Sequence, residues 1–293
     1  MALVALAGVS FAVQSILAKT AYARGADVPT VLAVRFAVAT AAVWGVTWLA
    51  RRRGAAVPPP LPTRRRLGLG LLGLLFVTNA LFAYLALDRL PAGTATLLIY
   101  VFPALVALWS RLFFGERLTR AKVAALALAL VGCALTVDPD AALGAGAGLS
   151  WVGVGWAFGS ALSNSWYATL AGPLGRGVPE LAAAAASLPV TAACFAAYLI
   201  ARLIRGDPAP DVTAVGWLAC IGIGLLAGLA IAVFLAGVAR ICPSRAAIVL
   251  TSEPAAAVAL GALLLGEAVA AVTLLGGLFI VAAIVTLARA TDP

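Results

Sequence analysis

The sequence predicts an all-α integral membrane protein of ten transmembrane helices, built as two five-helix repeats of inverted topology. Three observations predict it. Hydrophobic residues make up 64% of the 293 positions and charged residues only 11%, with a mean hydropathy of +1.10, far from the near-even balance of soluble domains. A long stretch occurs twice: ALDRLPAGTATLLIYVFPALVALWSRLFFGERLTRAKVAALALALVGCALTV, from Ala86 to Val137, has a diverged copy beginning at Gly237. Lysine and arginine, finally, are shared unequally between alternate connections.

The two copies align at a single shift of 151 positions, which superimposes Pro103 on Pro254, Gly115 on Gly266, Glu116 on Glu267 and Arg89 on Arg240. Apolar helices share Ala and Leu by chance, so the informative coincidences are Pro, Gly, Glu and Arg. A proline inside an apolar helix with a Gly-Glu at its end, twice at one spacing, points to duplication.

Cutting at charge and Pro/Gly clusters predicts spans at about 2–19, 29–50, 67–87, 92–113 and 121–138, then at about 149–170, 180–203, 213–236, 243–265 and 269–289. The first five form one repeat, residues 1–140, and the second five another, residues 141–293. They meet near the Gly/Ala-rich linker from Asp138 to Gly148. The run from Ala2 to Ala18 lacks the positive n-region and cleavage site of a signal peptide and contains Gln14, so it is read as the first span. In the second span Arg35 sits some six residues below the outer surface, where its stem can snorkel outward. Trp44, Trp48, Trp151 and Trp217 lie toward span ends, as interfacial anchors do. Gly155xxxGly159 and Gly224xxxGly228 are weak close-packing signals.

With a cytoplasmic N-terminus the inner connections hold fourteen Lys and Arg residues and the outer ones five, which sets both termini inside. The duplication supports this independently. Five spans is an odd number, so equivalent spans run in opposite directions through the membrane. Arg117, Arg120 and Lys122 follow the first Gly-Glu, and their counterparts are Ala268, Ala271 and Thr273. The copy keeps Gly-Glu and loses the positive charges, as a repeat facing the other side should. Inverted repeats of this kind typify secondary transporters, whose substrate site lies near the midplane where the repeats meet.

Pro103 and Pro254 fall near mid-membrane, and each disturbs the carbonyl four residues back, Ile99 and Leu250. They read either as packing kinks or as paired hinges flanking a site. Polar and aromatic residues gather around them. Thr96 and Tyr100 share a face with Pro103, and Thr251, Ser252 and Glu253 precede Pro254. The sixth span adds one helical stripe, Trp156, Ser160, Ser163, Asn164 and Tyr167; Gln14 and Asn79 are further uncharged groups at depth. Each can simply bond a neighbouring helix, but together they suggest a cavity lined by hydroxyls, amides and rings. Glu253 is the one carboxylate deep inside a predicted span, where ionised groups are expensive, so it faces the bundle interior, is protonated or has a partner; it reads either as a structural group at a kink or as a proton-coupling or ammonium-binding site. Glu116 and Glu267 sit at helix-helix turns and are read as caps of the next helix.

Other chemistry has little support. Histidine is absent and the four cysteines show no CxxC spacing, so they read as small core residues. No nucleotide-binding loop, metal cluster or nucleophile with its base is recognisable, so neither cofactor nor metal nor enzymatic activity is expected. The positive charge lies in the connections of an apolar chain and does not point to nucleic acid.

ALDRLPAGTATLLIYVFPALVALWSRLFFGERL and SEPAAAVALGALLLGE, together with Arg35 in AVRFAVA, resemble the drug/metabolite transporter superfamily in its EamA-like ten-helix branch. The resemblance covers nearly the whole chain. It implies paired five-helix repeats without an ATPase and export of amino acids or other small metabolites across the bacterial inner membrane; the partners expected are a small-molecule substrate and the lipid bilayer. Within the branch the chain is most similar to bacterial amino-acid exporters, including those for aromatic amino acids. Exporters of lipophilic cations share the fold and stand as the alternative, with a channel or intramembrane enzyme behind them. Glu253 departs from members with an uncharged residue before the proline. Oligomeric state is not legible.

Overall fold

A computed structural model of the chain describes residues 1–53, 61–87, 89–90, 95, 98–136, 150–265 and 271–289. Within them the backbone forms eleven helical segments and no strand: α1 Ala2–Ala23, α2 Val28–Arg52, α3 Thr63–Leu87, α4 Phe102–Phe114, α5 Arg120–Thr136, α6 Trp151–Gly175, α7 Glu180–Ile204, α8 Ala214–Val238, α9 Pro243–Leu250, α10 Ser252–Leu265 and α11 Ala271–Arg289. Six are long and apolar enough to cross a membrane by length and composition. The linker Asp138–Gly148 and the second Gly-Glu, at Gly266 and Glu267, lie outside the described residues.

Helix ends follow local chemistry. Asp27, Thr119, Ser150 and Thr213 each accept a hydrogen bond from the backbone N–H three residues on, satisfying a donor that the first turn leaves free. Thr119 therefore caps α5, and Glu116 does not, contrary to expectation; its carboxylate instead meets Lys122 Nζ at 3.1 Å. The preceding Gly115 has φ +64°, the left-handed conformation that a Cβ disfavours, and this lets the Glu116 N–H reach Ser110 O at 3.0 Å. Gly-Glu is thus a helix stop followed by an ion pair across the turn.

Small residues bring the helices together. A Cβ on Gly224 would stand 2.9 Å from Arg35 O and one on Gly228 3.2 Å from Ala39 O, so this glycine pair does seat α8 against the backbone of α2. Gly155 meets nothing within 4 Å and Gly159 faces the Phe82 ring, so the other pair does not act this way. Large apolar side chains point outward, among them Leu229, Leu263 and Leu278. That is the reverse of a soluble protein and suits lipid.

The packing is nearly unchanged when the two halves are exchanged. The pair α3–α6 becomes α1–α8, α2–α8 becomes α3–α7, and α4–α6 becomes the contact of α1 with α9 and α10, while α5–α11 and α2–α7 map onto themselves. At one end the α1–α2 turn joins the α7–α8 connection: the Thr213 N–H donates to Arg24 O at 3.1 Å, and Arg202 pairs with Asp27. Burial alone would raise the Asp27 carboxyl, but hydrogen bonds from Arg202 and Thr30 outweigh it and hold the group below its ordinary value.

The two predicted spans that carry the duplicated proline are both interrupted, whereas α6 and α7 run unbroken through Pro173 and Pro189. The fourth stops at Ile99, turns through Tyr100 and Val101 and restarts as α4 at Phe102; the ninth stops at Leu250, turns at Thr251 and restarts as α10. Proline supplies no N–H and displaces the carbonyl one turn back, so each break falls just before it.

Candidate functional site

The two interruptions meet at a cavity of about 300 Å³. One side consists of the broken segments themselves: Ile99, Tyr100 and Phe102 from the first, Leu250 and Glu253 from the second. Ile99 and Leu250 are the residues whose carbonyls the prolines disturb. Irregular backbone at membrane depth is tolerated where it lines a cavity, which is its position here. The opposite side comes from α1 (Phe11), α2 (Arg35), α3 (Phe76, Asn79), α6 (Asn164, Tyr167) and α8 (Phe234). The volume is at the low end of the ~300–1,000 Å³ typical of small-molecule sites.

Five of the residues expected at the site line this cavity: Asn79, Tyr100, Asn164, Tyr167 and Glu253. Ser160 stands behind the wall and donates to Asn79 Oδ1 at 2.7 Å, which leaves the amide N–H groups of Asn79 for the cavity. Thr251 donates to Ile248 O at 2.6 Å and satisfies the break from within. Ser252 Oγ is buried without a partner, beside Gly8 of α1. Gln14 is buried and bonds the Ser10 carbonyl of its own helix at 3.1 Å. Trp156 packs on Phe82 in a satellite cluster, with ring centroids 5.2 Å apart, and Ser163 is buried. Gln14, Trp156, Ser160, Ser163, Thr251 and Ser252 thus lie off the cavity, and Thr96 lies outside the described residues.

Arg35 does not snorkel outward; it lines the cavity, with its guanidinium 5.2 Å from the centre of the Phe36 ring. The Tyr100 hydroxyl and the Arg35 guanidinium are the groups that act on the Glu253 carboxyl. No ion pair joins Arg35 to Glu253 among the described residues, and Arg35 Nε is buried without an acceptor. Below them a chain of rings, Phe195–Phe36–Phe76–Tyr167–Phe234, runs through the bundle at centroid spacings of 5.5, 5.5, 5.4 and 5.8 Å. Phe11, Phe76, Phe102 and Phe234 escaped the sequence reading because an apolar ring in an apolar helix carries no signal. Arg35 did carry one, since its charge lies within a span.

A profile described as the EamA-like transporter family matches residues 1–138 and again residues 151–289. A solved structure titled "Crystal structure of protein" is similar with a TM-score of 0.78 at 23% identity, over 99% of each chain, a likeness that shows the fold. No curated protein matches the chain significantly.

Proposed function

Because the chain belongs to the EamA-like transporter family, matched once by each half, we propose that it is a secondary transporter exporting small metabolites, foremost amino acids, across the bacterial inner membrane by alternating access. The observation that carries this reading is the cavity where both broken helices meet. A site bounded by two interrupted, sequence-related segments is one that rocking of one repeat against the other can expose to either side.

The cargo follows from the charge in the cavity. An ionised Glu253 would cancel Arg35, which favours a molecule of no net charge; the rings of Phe11, Phe76 and Phe102 suit an apolar or aromatic side chain. A lipophilic cation is the second reading, favoured by Glu253 among aromatic rings and opposed by the charge of Arg35. Ten spans in inverted repeats, with both termini cytoplasmic, are supported by the odd span count per repeat, the exchange-symmetric packing and the charge asymmetry.

Two experiments test this. Counterflow in proteoliposomes with the twenty amino acids and a few cationic dyes should show exchange of amino acids, and exchange of dyes alone would replace the first cargo by the second. Cysteines introduced at Ala55 and Ala271 in a background freed of native cysteine should label from opposite sides of the membrane. Labelling from one side would remove the inverted arrangement.

A further inference from the structure

The cavity holds a guanidinium and a carboxyl that do not close on each other. Arg35 on α2 has an Nε buried without an acceptor, yet Glu253, the carboxyl that shares its cavity, makes no ion pair with it. A buried guanidinium left without an acceptor is costly, and so is a carboxylate without a full complement of donors. Either group could be relieved by moving toward the other. Each stands on its own element: Arg35 beside the Phe36 ring on α2, whose backbone is seated on α8 by Gly224 and Gly228, and Glu253 at the break before Pro254.

We propose that Arg35 binds the carboxylate of the cargo and Glu253 its ammonium group, so that the cavity selects zwitterions. The proposal rests on the reading of the cavity as the transport site and names the chemistry it recognises. An α-amino acid carries both charges on one carbon, and set between the two residues it satisfies both. The Nε–H and an Nη–H of a guanidinium form a fork matching the two oxygens of a carboxylate, a geometry an ammonium cannot offer. Asn79, held by Ser160, and Asn164 supply neutral polar groups, and Phe11, Phe76 and Phe102 leave an apolar wall for the cargo's side chain. A molecule lacking either charge leaves one residue buried and unpaired, and such sites reject the incomplete analogue strongly.

The test uses the full chain in proteoliposomes. The amino acid that exchanges best among the twenty is compared, by inhibition of its own counterflow, with its carboxamide and its deaminated acid; for L-phenylalanine these are L-phenylalaninamide and 3-phenylpropanoate. The parent should favour the amino acid over both by about tenfold or more. Arg35→Gln should lose the preference over the carboxamide and keep the preference over the deaminated acid, and Glu253→Gln should do the reverse. Arg35→Gln weakening all three compounds equally overturns the proposal. If that variant does not insert, Arg35→Lys decides: a narrowed gap between amino acid and carboxamide supports a forked carboxylate contact, and an unchanged gap overturns it. If none of the twenty amino acids exchanges, the amino-acid reading falls together with this one, whereas exchange without the charge-specific pattern removes only the assignment to Arg35 and Glu253.

Discussion

The two proline breaks are copies of one backbone device that deliver different chemistry. In the first, the Val101 N–H donates to Leu98 O at 3.3 Å; in the second, the Thr251 N–H donates to Ile248 O at 3.2 Å. Both are single tight turns, and the second lies one residue earlier relative to its proline. Equivalent positions then diverge: Phe102 corresponds to Glu253, and Tyr100 to Thr251. The first break presents two rings to the cavity, and the second presents a carboxylate while its threonine turns inward to the helix. Duplication therefore repeats the shape of the wall, and substitution diversifies its chemistry, since the Tyr100 hydroxyl of one break and the Glu253 carboxyl of the other line the same cavity.

If that division of labour is right, the largest effect belongs to the charged break. Glu253→Gln keeps shape and removes charge, and should lower transport by about tenfold or more, whereas Phe102→Leu at the equivalent position should cost less. Initial rates in vesicles at matched protein density compare the two; equal losses would mean the breaks are chemically interchangeable.

Replacing the prolines probes the shared backbone. Proline disfavours a continuous helix by about 3 kcal/mol, so Pro103→Ala and Pro254→Ala should let the spans straighten. Both variants should bind cargo with little change and turn over several-fold more slowly. A scintillation proximity binding assay beside a transport assay separates the two quantities, and a variant altered in binding alone would remove the hinge role.

The second break is braced by α1. A Cβ on Gly8 would stand 2.5 Å from Ser252 Oγ and 3.4 Å from Glu253 N. Gly8→Val should therefore displace the break and destabilise the protein by about 1–3 kcal/mol, seen as a lowered Tm in detergent. An unchanged Tm with normal transport would show that the brace yields.

The smallest effect is expected from Thr251→Val, which removes the 2.6 Å bond to Ile248 O while conserving volume. A loss of about 0.5–1.5 kcal/mol is expected, again by thermal unfolding, with cargo preference unchanged because the hydroxyl lies off the cavity.

Much of this was legible in the chain. Composition alone demanded helices facing lipid, because at such apolarity the backbone must satisfy its own hydrogen bonds. The repeat was readable because Pro, Gly and Glu are rare enough in apolar helices for their recurrence to carry information, and the duplicated prolines marked both interruptions, although Pro189 inside the unbroken α7 shows that a proline alone does not break a helix. Asn79, Tyr100, Asn164, Tyr167 and Glu253, which line the cavity, stood out in the sequence because polar groups at depth do. Position relative to a partner helix was not legible. Ser160 and Asn164 lie on one stripe of α6, yet only Asn164 lines the cavity, and Ser160 is taken by Asn79 from α3. Glu116 looked like a cap, but Thr119 stands closer to the turn it must serve. Arg35 can reach either water or the interior with the same stem, and only the packing of α2 on α8 decides its direction. Hydropathy and periodicity are properties of one segment, whereas a cavity is the space several segments leave unfilled, and that depends on which faces meet.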